Sequence, residues 1–308
     1  MLTASGLNLG ISLPQNFPER CLNIDYLRDY VRRAESIGFD DVWLTENILS
    51  ANFQLEPVTL LTYVAAITER IRLGVALVIL NTRNPVQLAK ALASLDQLSN
   101  GRVCLGVGLG AGTNNYAAFG ISPERRVARF EEGLKVMKAL WTDDSAAFKG
   151  EFWQLDKARM EPKPVQKPHI PVIFGGHAEA ALRRAVRLGD GWMAAGSIST
   201  EQSIDSLMQI RGLLKEAGSD ESKFMLSKRL YVAVDDDEAK ARANLSEALS
   251  YQYGARDYQS IGVAGAPGRI VEVVGRIREA GARHIVLNVL YDHIDQMEAV
   301  AARVVPKL

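Results

Sequence analysis

Short aliphatic runs alternate with amphipathic helical segments along the whole chain of 308 residues, and this alternation constrains the fold more than any other feature. Three of these aliphatic runs end near residues 45, 77 and 109, an even spacing of 32 residues. Several runs are almost wholly apolar, which is typical of parallel strands covered on both faces. Eight runs are predicted to be strands: Leu7–Leu13, Asp41–Thr45, Ile71–Val78, Val103–Leu109, Pro171–Gly175, Gly191–Ala195, Leu226–Val234 and His284–Leu290.

Helical segments fill the gaps between these runs. Ile24–Ile37 places its apolar residues on one stripe and is followed by Gly38, a common helix-ending residue, and Pro85 and Pro267 are typical first-turn residues of two further helices. Eight strand–helix units in a chain of this length predict an α/β fold, a (β/α)8 TIM barrel, formed as a single domain over residues 1–308. Two longer stretches, after strands 4 and 7, are predicted to be excursions over one mouth of the barrel.

The charge and residue content exclude several classes of partner. The chain has 36 basic and 36 acidic side chains, so its zero net charge disfavours nucleic acid and anionic membrane surfaces. The longest apolar run, Leu73–Leu80, is far shorter than the roughly 20 residues of a membrane-spanning helix. The four histidines include no pair at i, i+2 or i, i+4, so no metal site is predicted. Two cysteines and no readable secretory signal predict a cytoplasmic protein.

In a barrel of this type the site is expected at the C-terminal ends of the strands, and here those ends are rich in glycine and poor in charge. Gly175 and Gly176 lead from a strand into a helix, where free backbone amides favour an anion; the alternative is a tight turn without a ligand. His177 follows directly, either as a cofactor contact, as a helix cap or as a solvent-facing residue. Glycine and free amides suit a flat cofactor held by its phosphate.

Two charged positions near the same strand ends leave alternatives open. Arg126 begins a long helix, where a cation opposes the helix dipole, so it either binds phosphate, pairs with Glu131 or Glu132, or is solvated. Glu46 ends the second strand, where it holds a substrate, acts as a base or forms a structural salt bridge.

Glycines at 106, 108, 110 and 112 run through the end of the fourth strand and beyond it with a strict period of two. A dinucleotide-binding fingerprint would instead open a helix after the first strand of a doubly wound sheet. Because residues two apart in a strand face the same side, these glycines are predicted to leave room inside the barrel beside a ligand.

Taken in order and spacing, six segments resemble the bacterial luciferase-like superfamily of flavin- and deazaflavin-dependent oxidoreductases, also called luciferase-like monooxygenases. The segments are residues 34–47, 68–110, 129–142, 148–156, 162–176 and 187–196, among them AESIGFDDVWLTEN, PKPVQKPHIPVIFGG and RLGDGWMAAG.

The resemblance implies a (β/α)8 barrel, a homodimer, and a cofactor ring at the barrel mouth, the cofactor being reduced riboflavin phosphate (FMN) or coenzyme F-420. It implies a non-proline cis peptide at Ala76–Leu77 that supports the ring. It also implies cofactor contacts from the Gly175–Gly176 turn on the phosphate side, and from Gly110 and Asn114 after the fourth strand.

Three positions depart from the family pattern. Asn47 stands where many relatives carry a catalytic histidine, and Ala111 stands where sugar-phosphate dehydrogenases of the deazaflavin branch carry a glutamate. Leu109 replaces an arginine that luciferases use to hold phosphate. The Ala111–Gly112 pair resembles the deazaflavin-dependent reductases, which need little side-chain acid or base help.

The resemblance therefore implies an enzyme that uses reduced flavin to oxygenate or reduce a small organic substrate, with dioxygen in the monooxygenase case and a flavin reductase as a partner. Glu46 would orient the substrate or relay a proton, and Asn47 would hydrogen-bond the ring or the substrate. Residues 48–56 and 143–169 are candidate lids. The alternatives are an F-420-dependent hydride-transfer enzyme and a non-catalytic flavin-binding or partner subunit.

Overall fold

A computed structural model describes residues 6–110, 115–254, 258 and 260–308. Its centre is a closed barrel of parallel strands, which confirms the predicted TIM barrel. Each barrel strand overlaps one predicted run: β1 (Asn8–Ser12), β2 (Asp41–Leu44), β3 (Arg72–Ile79), β4 (Val103–Gly108), β7 (Val172–Phe174), β8 (Gly191–Ala194), β9 (Met225–Val234) and β11 (His284–Asn288). Pairing of β1 with both β2 and β11, and of β8 with β9, closes the sheet on itself.

Three further strands lie in the two excursions and were not predicted. β5 (Ala146–Lys149) and β6 (Gln154–Ala158) form an antiparallel hairpin after the fourth barrel strand. β10 (Gly262–Gly265) pairs in parallel with the last four residues of β9. The hairpin is mostly exposed and β10 consists of small residues, so neither carries the long apolar run by which the barrel strands were recognised.

Helices connect the barrel strands and cover their outer faces. They are α1 (Ile24–Ile37), α2 (Pro57–Ile67), α3 (Pro85–Leu98), α4 (Arg126–Thr142), α5 (Glu179–Leu188), α6 (Thr200–Glu216), α7 (Glu238–Tyr253), α8 (Pro267–Glu279) and α9 (His293–Arg303). The predicted helix ends are confirmed where caps were identified: Gly38 takes a left-handed φ of 102° after α1, and Pro85 and Pro267 open their helices. That residues 1–308 form one domain stays a prediction.

The interior of the barrel holds a small cluster of side chains, separate from the larger core between the strands and the helices. Its members are Trp43, Ala76, Cys104, Ile173, Met193 and Val286, with Leu77 and Met225 packed against them. A Cβ atom added at Gly74 would lie 2.3 Å from the Trp43 ring, so this glycine lets the indole pack directly on β3. The lumen is therefore a filled core, and a ligand has to bind at an end of the barrel.

Among the described residues, the helices are all too short or too polar to cross a lipid bilayer.

Candidate active site

The peptide bond between Ala76 and Leu77 is cis, as the resemblance implied. The Leu77 side chain lies at the mouth against three glycines, since Cβ atoms added at Gly106, Gly108 and Gly175 would lie 2.8, 2.9 and 2.1 Å from its methyl carbons. The room left by Gly106 and Gly108 is occupied by Leu77, so that a ligand beside these glycines stays a prediction; Gly112 lies outside the described residues. Gly110 faces Ile79 instead, at 3.2 Å.

Arg229 is a buried cation at the same level of the lumen, with only 8% of its surface exposed. It lies opposite Val286 in the register of β9 and β11, and two residues nearer the mouth Tyr231 lies opposite Asn288. One guanidinium nitrogen donates to the carbonyl oxygen of Ala76 at 3.0 Å, and the other lies 3.4 Å from the Tyr231 hydroxyl and 3.5 Å from the Asn288 amide oxygen.

All of these Arg229 contacts are neutral oxygens, and within the described part of the chain no carboxylate pairs with it. Burying a charge without a counter-ion costs on the order of several kcal/mol of folding free energy. Proteins therefore seldom keep such a charge unless a ligand compensates for it. Arg229 therefore makes the mouth attractive to a negatively charged group.

Glu46 is held in an ion pair at the mouth. Its side chain is fully buried; Oε1 accepts the backbone N–H of Ile79 at 2.8 Å, and Oε2 accepts the Nε–H of Arg83 at 2.9 Å and a further N–H from the same guanidinium. Burial raises the pKa of Glu46, and Arg83 and the Ile79 amide oppose that rise. The structure thus contains the salt bridge that the sequence left as one alternative. A role in substrate contact or proton transfer stays a prediction, as does that of Asn47, which is exposed.

The Gly175–Gly176 turn leads into α5 as predicted. Gly176 is exposed, with a left-handed φ of 101°, and its carbonyl oxygen accepts the indole N–H of Trp192 at 2.8 Å. The N-cap residue is Ala178, which offers no side-chain acceptor, so the first amides of α5 are left to solvent or a ligand. His177 is exposed and precedes the cap, so of its two non-binding alternatives the structure shows the solvent-facing one.

Arg126 is the first residue of α4 and is partly exposed. Glu131 pairs with two arginines of α5, and Glu132 accepts two backbone N–H groups from the turn between β5 and β6, so neither is its partner. The Asn81 amide donates to the Arg126 carbonyl oxygen at 2.9 Å and fixes the start of the helix. Because β4 and β7 are neighbours, the starts of α4 and α5 lie on the same side of the mouth. Asn114 lies outside the described residues.

A protein-family model described as luciferase-like monooxygenase matches residues 7–297. The chain belongs to this family. The resemblance seen in its sequence is thereby confirmed, and homologues in the family are flavin- or F-420-dependent oxidoreductases.

Curated relatives of this luciferase-like protein include enzymes of both cofactor types. An F420-dependent glucose-6-phosphate dehydrogenase of Amycolatopsis mediterranei is 35% identical over 190 residues, which cover 59% of this chain and 56% of that one. An FMNH2-dependent dimethylsulfone monooxygenase of Pseudomonas putida is 28% identical over 236 residues, covering 74% and 63%. The chain spans about half the length of the first curated relatives it matches.

Solved structures show the same fold. The monooxygenase RslO1 from Streptomyces bottropensis superposes with a TM-score of 0.82 at 23% identity, over 96% of this chain and 98% of that one. At this identity the likeness supports the barrel architecture alone.

Sequence reasoning about this luciferase-like barrel missed Arg229 and Tyr231. Both lie in β9, whose sequence MLSKRLYVAV is interrupted by three consecutive polar residues, Ser227, Lys228 and Arg229, and none of them was singled out as a site residue from the sequence. Lys228 is buried, donates to the Ala195 and Ile198 carbonyl oxygens at 2.6 and 3.1 Å, and has a pKa lowered to about 7 by burial and by Arg229. The available signal was the alternation of the strand, which places residues 227, 229 and 231 on the lumen face.

Within the described ranges there is no group of three or more His, Cys, Asp and Glu side chains placed to hold a metal ion.

Proposed function

We propose that the chain is an oxidoreductase that binds a reduced, phosphorylated flavin or deazaflavin at the barrel mouth and acts on a small organic substrate. The observation that carries this proposal is the exposed start of α5: two glycines, a left-handed backbone at Gly176 and a helix without a side-chain cap. Such a turn presents several backbone N–H groups to one anion and allows it to approach closely. A terminal phosphate group fits this set of donors.

The other mouth residues fit the rest of such a cofactor. Arg126, with its guanidinium outside any ion pair in the described part of the chain, adds a second positive group on the side where α5 begins. Leu77 offers an apolar surface for a flat ring, and Arg229 offers a positive charge to the anionic form that reduced flavins and deazaflavins adopt near neutral pH. When bound, the cofactor supplies the redox chemistry, so the protein has to position the ring and exclude water.

Oxygenation with dioxygen and reduced FMN is our first candidate reaction, with a flavin reductase supplying the cofactor. Hydride transfer with F-420 is the second, and two observations favour it: both carboxylate oxygens of Glu46 are engaged, and Asn47 replaces the family histidine. Because the Glu46 carboxylate is already hydrogen-bonded, the mouth suits a reaction that needs little acid or base catalysis by side chains. A homodimer and a cytoplasmic location remain part of this proposal.

Titration of the purified protein with FMN and with F-420, each oxidised and reduced and followed by absorbance and fluorescence, tests the proposal. Binding of F-420 alone supports hydride transfer, and preference for reduced FMN supports oxygenation. Binding of neither overturns the proposed function. Binding without turnover of any substrate in a broad panel supports the non-catalytic alternative.

A matched pair of ligands tests the phosphate assignment, because riboflavin is FMN without its phosphate. Arg126→Gln is expected to weaken FMN binding by roughly three- to tenfold, since an exposed cation contributes about 1 kcal/mol to an ionic contact. The same substitution should leave riboflavin binding unchanged. Arg32→Gln, at an exposed position of α1, is the control. Equal losses for both ligands would contradict the assignment.

A further inference from the structure

A cavity of about 660 Å³ lies beside the mouth, between the segment after β1, the face of α7 and the segment after β11. Its volume is within the range of small-molecule pockets, roughly 300–1,000 Å³. Four aromatic side chains contribute to its wall: Phe17, Tyr26, Tyr251 and Tyr291. The inner end is apolar and is formed by Leu13 and Val289, at the ends of the two adjacent strands.

The charges around this cavity have one sign. Glu19, Glu247 and Asp292 line it, and within the described residues none of the three forms an ion pair. No lysine or arginine is among its described lining residues. His293 also lines it, but burial lowers its pKa to about 4, so its imidazole is uncharged at neutral pH and leaves the three carboxylates uncompensated.

The position of the cavity relates it to the proposed cofactor site. Passing around the barrel from β1, the strands β2, β3 and β4 precede β7, so β1 and β7 are opposite each other among eight strands. The Gly176 turn follows β7, and the cavity begins where β1 ends. A cofactor held by its phosphate at the Gly176 turn and lying on Leu77 would therefore extend across the mouth toward the cavity.

We propose that this cavity is the substrate pocket and that it takes an organic cation, an ammonium group carrying small alkyl or aryl substituents. This assignment rests on the proposed function. Aromatic faces attract cations through their quadrupoles, and carboxylates add attraction that no basic side chain of the described wall cancels. An anionic substrate such as a sugar phosphate would meet three like charges and find no cation in that wall.

Isothermal titration calorimetry on the complete protein, with and without cofactor, tests this assignment with matched probes. Choline is compared with 3,3-dimethylbutan-1-ol, its uncharged carbon isostere, and benzylammonium with benzyl alcohol; glucose 6-phosphate is the anionic probe. Each ammonium probe is expected to bind about tenfold more tightly than its neutral partner. Glucose 6-phosphate is expected not to bind in the cavity.

Two variants locate the binding. Glu247→Gln should reduce the preference for the ammonium probes by about three- to fivefold at constant volume, and Glu272→Gln, an exposed glutamate on α8 away from the cavity, should leave it unchanged. Equal affinity for charged and neutral partners, a preference that Glu247→Gln does not alter, or binding of no ammonium probe in either cofactor state would overturn the proposal.

The two proposals fail separately. Ammonium binding in a protein that binds neither FMN nor F-420 would support the cavity assignment and overturn the proposed function. Cofactor binding without any preference for the ammonium probes would do the reverse.

Discussion

Two buried charges, Asp41 at the N-terminal end of the barrel and Arg229 at the mouth, have different surroundings. At the N-terminal end, Asp41 accepts hydrogen bonds from Trp43 Nε1 at 2.5 Å and from His284 at 2.9 Å, and His284 is hydrogen-bonded to the Ser227 hydroxyl at 2.7 Å. At the mouth, Arg229 is buried among neutral oxygens and the first amides of α5 are uncapped. Charges that satisfy one another stabilise the fold, whereas those left over are available to a ligand.

The N-terminal network has the residue types of a hydrolytic triad, but its setting makes it structural. The Ser227 side chain is completely buried, so no substrate reaches its hydroxyl. Burial alone would raise the pKa of Asp41, but His284, Arg72 and Trp43 together hold it below its ordinary value, which keeps the carboxylate charged. In barrels of this type the N-terminal face contributes stability and the opposite face carries the chemistry.

Removing the Asp41 carboxylate should have the largest effect on stability. Asp41→Ala removes the acceptor of two buried donors, and we expect a loss of about 3–5 kcal/mol in the free energy of unfolding. Urea unfolding followed by tryptophan fluorescence measures it. Asp295→Ala, an exposed aspartate in the first turn of α9, is the control and should change stability by less than about 0.5 kcal/mol. A loss below about 1 kcal/mol for Asp41→Ala would show that the network is not the stabilising element.

A second histidine, His293, sharpens the comparison, because it lies half-buried on the mouth side among tyrosine rings. His293 lies edge-on to Tyr26 and Tyr30, with ring centroids 6.4 and 6.1 Å apart, and burial lowers its pKa from 6.5 to about 4. Between about pH 6.5 and 4 the unfolded chain binds a proton that the folded chain does not. Stability should therefore fall as the pH falls, by about 1.4 kcal/mol per unit and about 3 kcal/mol in all.

Urea unfolding at pH 7.0, 5.5 and 4.5 tests this dependence in the protein and in His293→Gln. The variant should lose stability less steeply over that window. His177→Gln removes an exposed imidazole and should reproduce the slope of the unaltered protein. Parallel slopes for all three proteins would show that His293 does not cause the dependence.

At the mouth, removing the unpaired charge of Arg229 should change stability in the opposite direction. Arg229→Met keeps much of the volume without the charge, so we expect the free protein to be as stable or more stable by about 1 kcal/mol. Binding of the reduced, anionic cofactor should weaken by about 10- to 100-fold, because a hydrogen bond to a charged group contributes about 1.5–3 kcal/mol. The oxidised cofactor should be affected less.

The ratio of affinities for reduced and oxidised cofactor separates a charge effect from a general distortion. Arg229→Lys keeps the charge and should preserve most of this ratio. Lys228→Met removes the neighbouring buried amine, which donates to the Ala195 and Ile198 carbonyls rather than to the Arg229 contacts, and should leave the ratio unchanged. An unchanged ratio in Arg229→Met would refute the assignment of Arg229 to the anionic cofactor.

The barrel was predictable from sequence because its strands are buried on both faces and therefore differ sharply from the helices around them. The Gly175–Gly176 turn could be predicted from two glycines between a strand and a helix, and the Ala76–Leu77 bond could be anticipated through the family resemblance. Arg229 could not, because its importance depends on which side chains the closed barrel brings around it. Glu46 was recognised, but its partner Arg83 lies 37 residues away, and no periodicity in the sequence joins them.

The smallest effect is expected at the Gly175–Gly176 turn. It tests whether the free backbone N–H groups of this turn contribute to cofactor binding, as the unpaired charge of Arg229 is proposed to do. Gly176→Ala places a Cβ at a left-handed φ of 101° and 3.0 Å from the Ala181 Cβ, so a loss of about 1–2 kcal/mol in stability is expected. Gly218→Ala, also left-handed but with open space around it, controls for backbone strain alone. If the turn binds phosphate, Gly176→Ala should weaken FMN more than riboflavin, whereas Gly218→Ala should lower stability without altering either affinity. A Gly176 variant that binds both ligands as the unaltered protein does would place the phosphate elsewhere, and the mouth would then rely on its charges alone.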